Sequence, residues 1–394
     1  MIYLDNAATS FPKPKGMIEK MSDHQLAWCG NPGRAGHMLS RKTAEAVRSS
    51  RNILADFFDI DDPARIIFTK NATEALNLAI LGTVKEGDHI ITTSMEHNSV
   101  LRPLIASGAE YTIISCRQDG SLDPADVEKA IRKNTGLIVC THASNVTGTI
   151  MPVHRLADIC RKKGIRILVD ASQSAGHLPL SADDFDMVAM PGHKGLLGPM
   201  GTGLLIVKEK KALQPLMYGG TGTLSKMLEP PVEFPESFEA GTVNAPGIIG
   251  LGHAAGWIMN RGIEQIYEYQ MGLIRMFDEQ LRNMPQVEVY GPSVYRSKVG
   301  ITAFNVRGRS SEEVASLLND EFGIAVRAGF HCAGIAHKTI GTWDTGAVRV
   351  SPGVFTTRSQ MQYAADVIWR IAKTASGVRP SRYLPVHPRG CSFR

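Results

Sequence analysis

The stretch from Ile165 to Leu205, IRILVDASQSAGHLPLSADDFDMVAMPGHKGLLGPMGTGLL, constrains this chain more than any other. An apolar run of Ile165, Ile167, Leu168 and Val169 stops at Asp170, and a second run over 187–190 stops just before Gly192-His193-Lys194. Short apolar runs closed by turn residues read as buried strands. Two strands therefore each deliver one polar group at a C-terminal end, a carboxylate from one and an amine from the other. Gly195, Gly198, Gly201 and Gly203 follow as a turn-rich segment.

The rest of the chain supplies a frame for such strands. Residues 1–14 start extended, and Pro12 and Pro14 prepare a helix start near Lys15. Asn31-Pro32-Gly33-Arg34-Ala35-Gly36-His37 reads as a loop. Ser40 precedes an amphipathic helix to about Phe58, with Ala44, Val47, Ile53, Leu54 and Phe57 on one face. A strand at 66–69 leads to a helix opening at Ala72-Thr73-Glu74. Strand and helix then alternate through 90–93, 100–106, 111–115, 124–132, 137–141, 153–162 and 165–169. This alternation predicts an α/β sheet covered by helices on both faces. Beyond the loop-like EPPVEFP at 229–235, helices are expected from Pro246 to about Met259 and from near Ile263 to before Pro285. From Val287 the pattern changes to strands at 287–289, 301–306, 325–326 and 348–350 with helices at 311–321 and 359–374. That is a smaller α+β region, with the boundary near Gly262.

A length of 394 residues suits two to three domains. The net charge of +5 is dispersed, without a basic block, which argues against a nucleic-acid partner. No apolar run approaches the roughly 18 residues a membrane helix needs. MIYLDNAATS lacks the basic and apolar regions of a signal peptide. The six cysteines show no C-x-x-C spacing, so neither a metal site nor a disulfide framework is expected, and a reducing cytoplasm is.

An amine and a carboxylate at neighbouring strand ends are what a pyridoxal 5'-phosphate (PLP) site requires. The amine forms a Schiff base with the cofactor aldehyde, and the carboxylate keeps the pyridine nitrogen protonated so that the ring accepts electrons. From the residues alone, Asp170 as a helix cap and Lys194 as a solvated loop lysine remain open. A P-loop is excluded, since no G-x-x-x-x-G-K-[ST] occurs.

DASQSAGH followed by GHKGLLGPMGTG resembles the class V aminotransferases, which are fold type I PLP enzymes, and within them the cysteine desulfurases and selenocysteine lyases. The likeness runs from YLDNAATSFP to VRVSPGVFTT, nearly the whole chain. It implies a large α/β domain with a mainly parallel, seven-stranded sheet, expected at 15–262. It also implies a smaller α+β domain built from 1–14 and 263–378, leaving a tail at 379–394.

The resemblance also assigns residues. Lys194 matches the Schiff-base lysine, Asp170 the partner of the pyridine nitrogen and Gln173 the contact to the phenolic oxygen. His193 with the two residues before it, and Ala72 and Thr73 at a helix start that suits an anion, match phosphate contacts. His97 matches the histidine stacked on the ring that moves substrate protons, and Asn145 an asparagine near the cofactor oxygen and the substrate. Thr242, in FEAGTVN, matches a segment that crosses a dimer interface to the neighbour's phosphate, which implies a homodimer. Arg349 matches the arginine that forks the substrate carboxylate.

Cys332, in Arg327-Ala328-Gly329-Phe330-His331-Cys332-Ala333, matches the family's catalytic cysteine. A thiolate attacks sulfur readily, which is what moving sulfur off L-cysteine demands. The resemblance thus implies a desulfurase that yields L-alanine and passes a persulfide to an acceptor protein or small thiol. L-selenocysteine is the alternative substrate. An aminotransferase, a kynureninase-like hydrolase and a non-catalytic scaffold are further alternatives, of which the first two would not need Cys332. Two departures stand out. Pro191 lies where the family carries Ser or Thr, so one phosphate hydrogen bond should be missing or replaced. The loop AGIAHKTIGTWDTG is short and has Gly334 where proline is frequent.

Overall fold

The computed structural model describes residues 1–375 apart from 34–35, 211–212, 223–225, 227 and 230–232; the tail expected at 379–394 lies outside the described residues. In chain order the elements are β1 (Ile2–Tyr3), α1 (Met17–Ala27), α2 (Met38–Phe57), β2 (Ile66–Thr69), α3 (Ala72–Leu81), β3 (His89–Thr93), α4 (Asn98–Ala106) and β4 (Glu110–Ile114). Then come α5 (Pro124–Lys129), β5 (Thr135–Thr141), α6 (Val153–Lys163), β6 (Arg166–Asp170), β7 (Met187–Pro191), β8 (Gly203–Val207), α7 (Ala245–Arg261) and α8 (Ile263–Arg282). Last are β9 (Val287–Tyr290), β10 (Thr302–Val306), α9 (Ser311–Asp320), β11 (Ile324–Ala325), α10 (Gly334–Thr339), β12 (Val348–Val350) and α11 (Arg358–Ala375).

A seven-stranded sheet runs in the order β2-β8-β7-β6-β5-β3-β4. The strands β7, β6, β5, β3 and β4 are mutually parallel, while β8 is antiparallel to both β7 and β2. The apolar runs split by alternation, as a sheet buried on both faces requires. Ile138, Cys140, Ile167, Val169, Val188 and Met190 join one core. Leu137, Val139, Leu168, Met187 and Ala189 join the core on the opposite face, together with Leu76, Ile80 and Leu104 of α3 and α4. Truncating Leu168, wholly buried in a central strand, is expected to cost about 2–5 kcal/mol.

Helix starts follow their caps. Asn71 accepts from Glu74 N–H at 2.9 Å and Asp123 from Ala125 N–H at 3.0 Å. The helix expected to follow Ser40 begins at Met38 instead, because the His37 side chain accepts from Ser40 N–H and caps it. The helix expected over 124–132 ends at Lys129.

A second, antiparallel sheet β12-β10-β9 packs with α8, α9 and α11 around Phe277, Phe304, Val314, Val350 and Ile368. The chain's beginning joins this region: β1 pairs in parallel with β11, and Asp5 bridges to Ser351 just after β12. Among the described residues no helix is long and apolar enough to cross a membrane.

Candidate active site

Parallel strands end on the same edge of a sheet, and side chains just beyond their C-terminal ends share one crevice. The segments after β2, β3, β5, β6 and β7 line one pocket here. They bring in Ala72 and Thr73, His97, Asn145, Asp170 and Gln173, and His193 and Lys194. Eight of the residues picked out in the sequence thus meet in one place. Cys332 and Arg349 approach it from the second region of the chain, through Asn145. Thr242 does not join it within this chain: it is exposed, accepts from Asn31 Nδ2 at 3.4 Å, and lines a separate hollow with Lys70 and Met217.

Asp170 closes β6 and is 2% exposed; its Oδ1 accepts from Ser172 N–H at 2.9 Å. Lys194 follows β7 by a tight loop closed by Gly198 N–H to Gly192 O and Leu197 N–H to Lys194 O. Gly176 and Gly195 allow this loop to lie on the segment after Gln173, since a Cβ on either would stand 2.2 Å from a backbone oxygen of the other segment. The carbonyl of His193 accepts from Ser10 N–H, Ser10 Oγ and Lys13 Nζ, each at 3.0 Å, so the N-terminal segment pins the peptide in front of Lys194. Burial draws the Lys194 amine down to about 8 against the attraction of Asp170, and burial draws the Lys13 amine to about 8 as well. His193 Nδ1 is buried without a partner among the described residues.

His97 is the N-cap of α4, and its Nδ1 accepts from Ser99 N–H at 3.0 Å. An acceptor nitrogen carries no proton, so the neutral ring holds its proton on Nε2. Burial first, and then the Lys194 charge among others, lowers the ring to about 4 despite Asp170, so it is neutral at pH 7. At the start of α3 the N–H groups of Ala72 and Thr73 have no acceptor among the described residues, which leaves two donors and the positive end of a helix facing the pocket. Gln173, which lines the pocket, donates to Ala7 O at 3.0 Å, and its oxygen has no donor among the described residues.

Cys332 is exposed. His331 and Cys332 both sit in the left-handed backbone region, at φ 52° and 57°. For residues other than glycine that conformation costs about 1–2 kcal/mol each. Two contacts hold it: Asn145 Nδ2 donates to His331 O at 2.7 Å, and Asn98 N–H donates to Cys332 O at 2.8 Å. Arg327 Nη2 lies 3.8 Å from the Cys332 sulfur, a cation beside a thiol. Arg349 is 1% exposed, with Nη1 donating to Asn145 O at 2.8 Å, Nη2 to Asp5 Oδ1 at 2.9 Å and Nε without a partner among the described residues.

Three residues were not singled out from the sequence. Asp5 pairs with Arg349. Ser99 Oγ lies between Thr73 and His97. Glu96 is wholly buried beside Thr141, and burial pushes its carboxyl up to about 8. The helix α10 was also hidden, inside what reads as a glycine-containing loop. Of these, only Ser99, two residues after His97, had a local cue in the helix-start pattern.

Residues 2–363 match the family described as Aminotransferase class-V. A protein of Pyrococcus abyssi named "Probable cysteine desulfurase" is 35% identical over 392 residues, covering 95% of this chain and 95% of its own. A protein of the same name from Methanothermobacter thermautotrophicus is 33% identical, covering 94% of each chain. The apo structure of a cysteine desulfurase from Thermococcus onnurineus NA1 superposes with a TM-score of 0.88 at 34% identity, covering 96% of this chain and 95% of its own. With the sheet order, the strand-end lysine and carboxylate and a match over nearly the full length all in agreement, the chain belongs to the class V aminotransferase family, of fold type I.

Proposed function

We propose that this protein is a PLP-dependent cysteine desulfurase that takes sulfur from L-cysteine, leaves L-alanine and holds the sulfur as a persulfide on Cys332 for an acceptor protein or small thiol. The observation that carries this reading is the exposed Cys332 thiol, held by Asn145 and Asn98 in a left-handed turn beside the pocket that contains Lys194. Neither transamination nor hydrolysis has a use for a thiol there. The names of the relatives from Pyrococcus abyssi and Methanothermobacter thermautotrophicus agree with it.

The donor set suits the cofactor. Lys194 would be the amine for its aldehyde, Asp170 the carboxylate for its ring nitrogen, and Gln173 with Asn145 would serve its phenolic oxygen. Ala72, Thr73 and the orphaned His193 Nδ1 would supply donors for its phosphate. Bound there, PLP supplies an aldehyde for the substrate amino group and a ring that accepts the electron pair left at Cα.

The protein's own groups do the rest. Arg349 pairs with the substrate carboxylate through the N–H groups that Asn145 and Asp5 leave unused, Nε among them. Lys194, with an amine brought near 8, takes the Cα proton. The Cys332 thiolate attacks the substrate sulfur: the S–S bond forms, the Cβ–S bond breaks, and its electron pair stays on the carbon skeleton, which takes up one proton at Cβ and regains at Cα the one that Lys194 removed, to become alanine. His97 enters with its proton on Nε2 and so acts first as a donor. Thr242 is assigned to the phosphate of a second copy's site, which makes the working unit a homodimer. A reducing cytoplasm suits the five described cysteines, all free.

The test is product analysis with purified, PLP-loaded protein. Equal amounts of alanine and sulfide from L-cysteine in the presence of a reducing thiol are expected. Release from L-selenocysteine alone would make it a lyase for selenium, and release from neither would end this reading.

A further inference from the structure

Pro191 ends β7 on the pocket wall and offers neither hydroxyl nor N–H. Ser99, in the first turn of α4, lines the same pocket and is 8% exposed. Its Oγ stands 2.8 Å from Thr73 Oγ1 and 2.9 Å from His97 Nδ1. Its backbone N–H also donates to that Nδ1, at 3.0 Å.

The proton count limits what this cluster can do. A ring nitrogen of this kind has one lone pair in the ring plane, and the Ser99 N–H already uses it. Ser99 and Thr73 each have a single hydroxyl proton. When the Thr73 proton points at Ser99 Oγ, the Ser99 proton is left to compete for the occupied lone pair of His97. When an anion at the start of α3 takes the Thr73 proton, a Thr73 lone pair opens to Ser99, and the Ser99 proton turns to it. Both hydroxyls are then satisfied and His97 keeps one donor. An anion therefore completes the cluster.

We propose that Ser99 is a positioning residue that aims the Thr73 hydroxyl at the cofactor phosphate, a hydrogen bond that weighs more here because Pro191 gives none. This rests on the PLP reading above. It also links phosphate to His97: phosphate binding frees Nδ1 of the competing donor and leaves the ring held by the α4 cap alone.

The experiment titrates full-length protein, freed of cofactor, with PLP and in parallel with pyridoxal, which has the aldehyde and ring but no phosphate. Binding is read from the shift of the absorption band. In Ser99→Ala, PLP affinity is expected to fall about tenfold, the size of a hydrogen bond to a charged group, with pyridoxal affinity unchanged. Thr73→Val should lower PLP affinity similarly, and adding Ser99→Ala to it should change little further, because the two act as one unit. Pro191→Ser in the Ser99→Ala background should recover part of the loss. Unchanged pyridoxal binding shows that the variants are folded. An equal loss for PLP and pyridoxal would place Ser99 at the ring and overturn the proposal, as would no loss for either. Wild-type protein that takes up neither compound would instead remove the PLP reading itself.

Discussion

Arg349 and Asp5 form an ion pair across 344 positions of sequence, Nη2 to Oδ1 at 2.9 Å, with the guanidinium side chain 1% exposed and the carboxylate 20%. Asp5 thus holds a carboxylate against an arginine that the proposed mechanism needs for another carboxylate. Arg349 Nε, without a partner among the described residues, and the second N–H of each Nη are the donors left for the incoming one.

The first prediction follows from that pair. Asp5→Asn leaves a buried guanidinium without a counter-charge, and breaking such a pair costs about 3–5 kcal/mol. The ligand-free protein should melt several degrees lower, and a non-reacting amino acid such as L-alanine should raise the melting temperature more in the variant than in the wild type. Thermal melts with and without L-alanine check this. Identical melts for the two proteins would show that Asp5 does not balance Arg349.

Glu96 gives a pH dependence. Thr93 O–H and Thr141 N–H both donate to its Oε1, at 2.6 and 3.0 Å, and Oε2 has no partner among the described residues. Burial raises its pKa from 4.5 to about 8, so near neutrality the native carboxyl keeps a proton that the unfolded chain has released. The native state binds the extra proton between those two values. Its stabilising effect is therefore complete below about 4.5 and is lost as pH rises through about 8. The slope from this single group is at most about 1.4 kcal/mol per pH unit. Glu96→Gln keeps an acceptor for both donors and has nothing to titrate. Its unfolding free energy should fall less than that of the wild type between pH 6 and 9 in denaturant titrations. Parallel curves would assign the pH dependence elsewhere.

What the sequence made legible follows from which forces act locally. The strands β2 and β12 begin and end where the apolar runs do, and Asp170 and Lys194 stand at the strand ends expected of them. The strand β8 was not anticipated, because it starts at Gly203 at the end of a glycine-rich turn and pairs antiparallel in an otherwise parallel run. Nor was α10: Gly334 and Gly341 bracket a short amphipathic turn that is stable only because Ala336 and His337 are buried by tertiary contacts. Asp5 and Ser99 escaped for a related reason. Their partners, Arg349 and Thr73, are brought to them by folding; nothing in the neighbouring residues marks Asp5, and Ser99 had only its place in the helix start after His97.

Thr242 supplies a prediction about assembly. It lies outside the pocket of its own chain, so if it serves the site of a second copy, Lys194→Ala and Thr242→Val should complement each other. A mixed dimer contains one site with an intact Lys194 from one chain and an intact Thr242 from the other. Co-expressed variants should form dimers by light scattering and recover up to about half the wild-type activity per mixed dimer, since one of its two sites is whole. Activity no higher than the mean of the two parents would place Thr242 outside the site or in its own chain's.

Cys332 separates a desulfurase from the other chemistries that the same pocket can host. Asp170 ends β6 and Lys194 follows β7 of the large sheet, whereas Cys332 stands beside the pocket on a separate turn anchored by Asn145 and Asn98. Cys332→Ala should therefore keep the absorption band of the bound cofactor and the spectral change that L-cysteine induces. It should lose desulfuration on the order of a thousandfold, the scale of removing a covalent nucleophile. The loss should appear in kcat with KM little changed, because Arg349 and the pocket still bind the substrate. Alanine shares the fold-permitting size of cysteine but tolerates φ 57° no better, so a collapsed turn is controlled for by Cys332→Ser, which should fail equally in chemistry while keeping a polar side chain there. Wild-type protein treated with L-cysteine should carry one added sulfur on the Cys332 peptide by mass spectrometry. Release from L-selenocysteine should fall less in Cys332→Ala, since selenium leaves carbon more readily than sulfur and depends less on attack by a thiolate. A variant that desulfurates L-cysteine at the wild-type rate, or added sulfur found only on Cys391, would remove Cys332 as the atom that receives the sulfur.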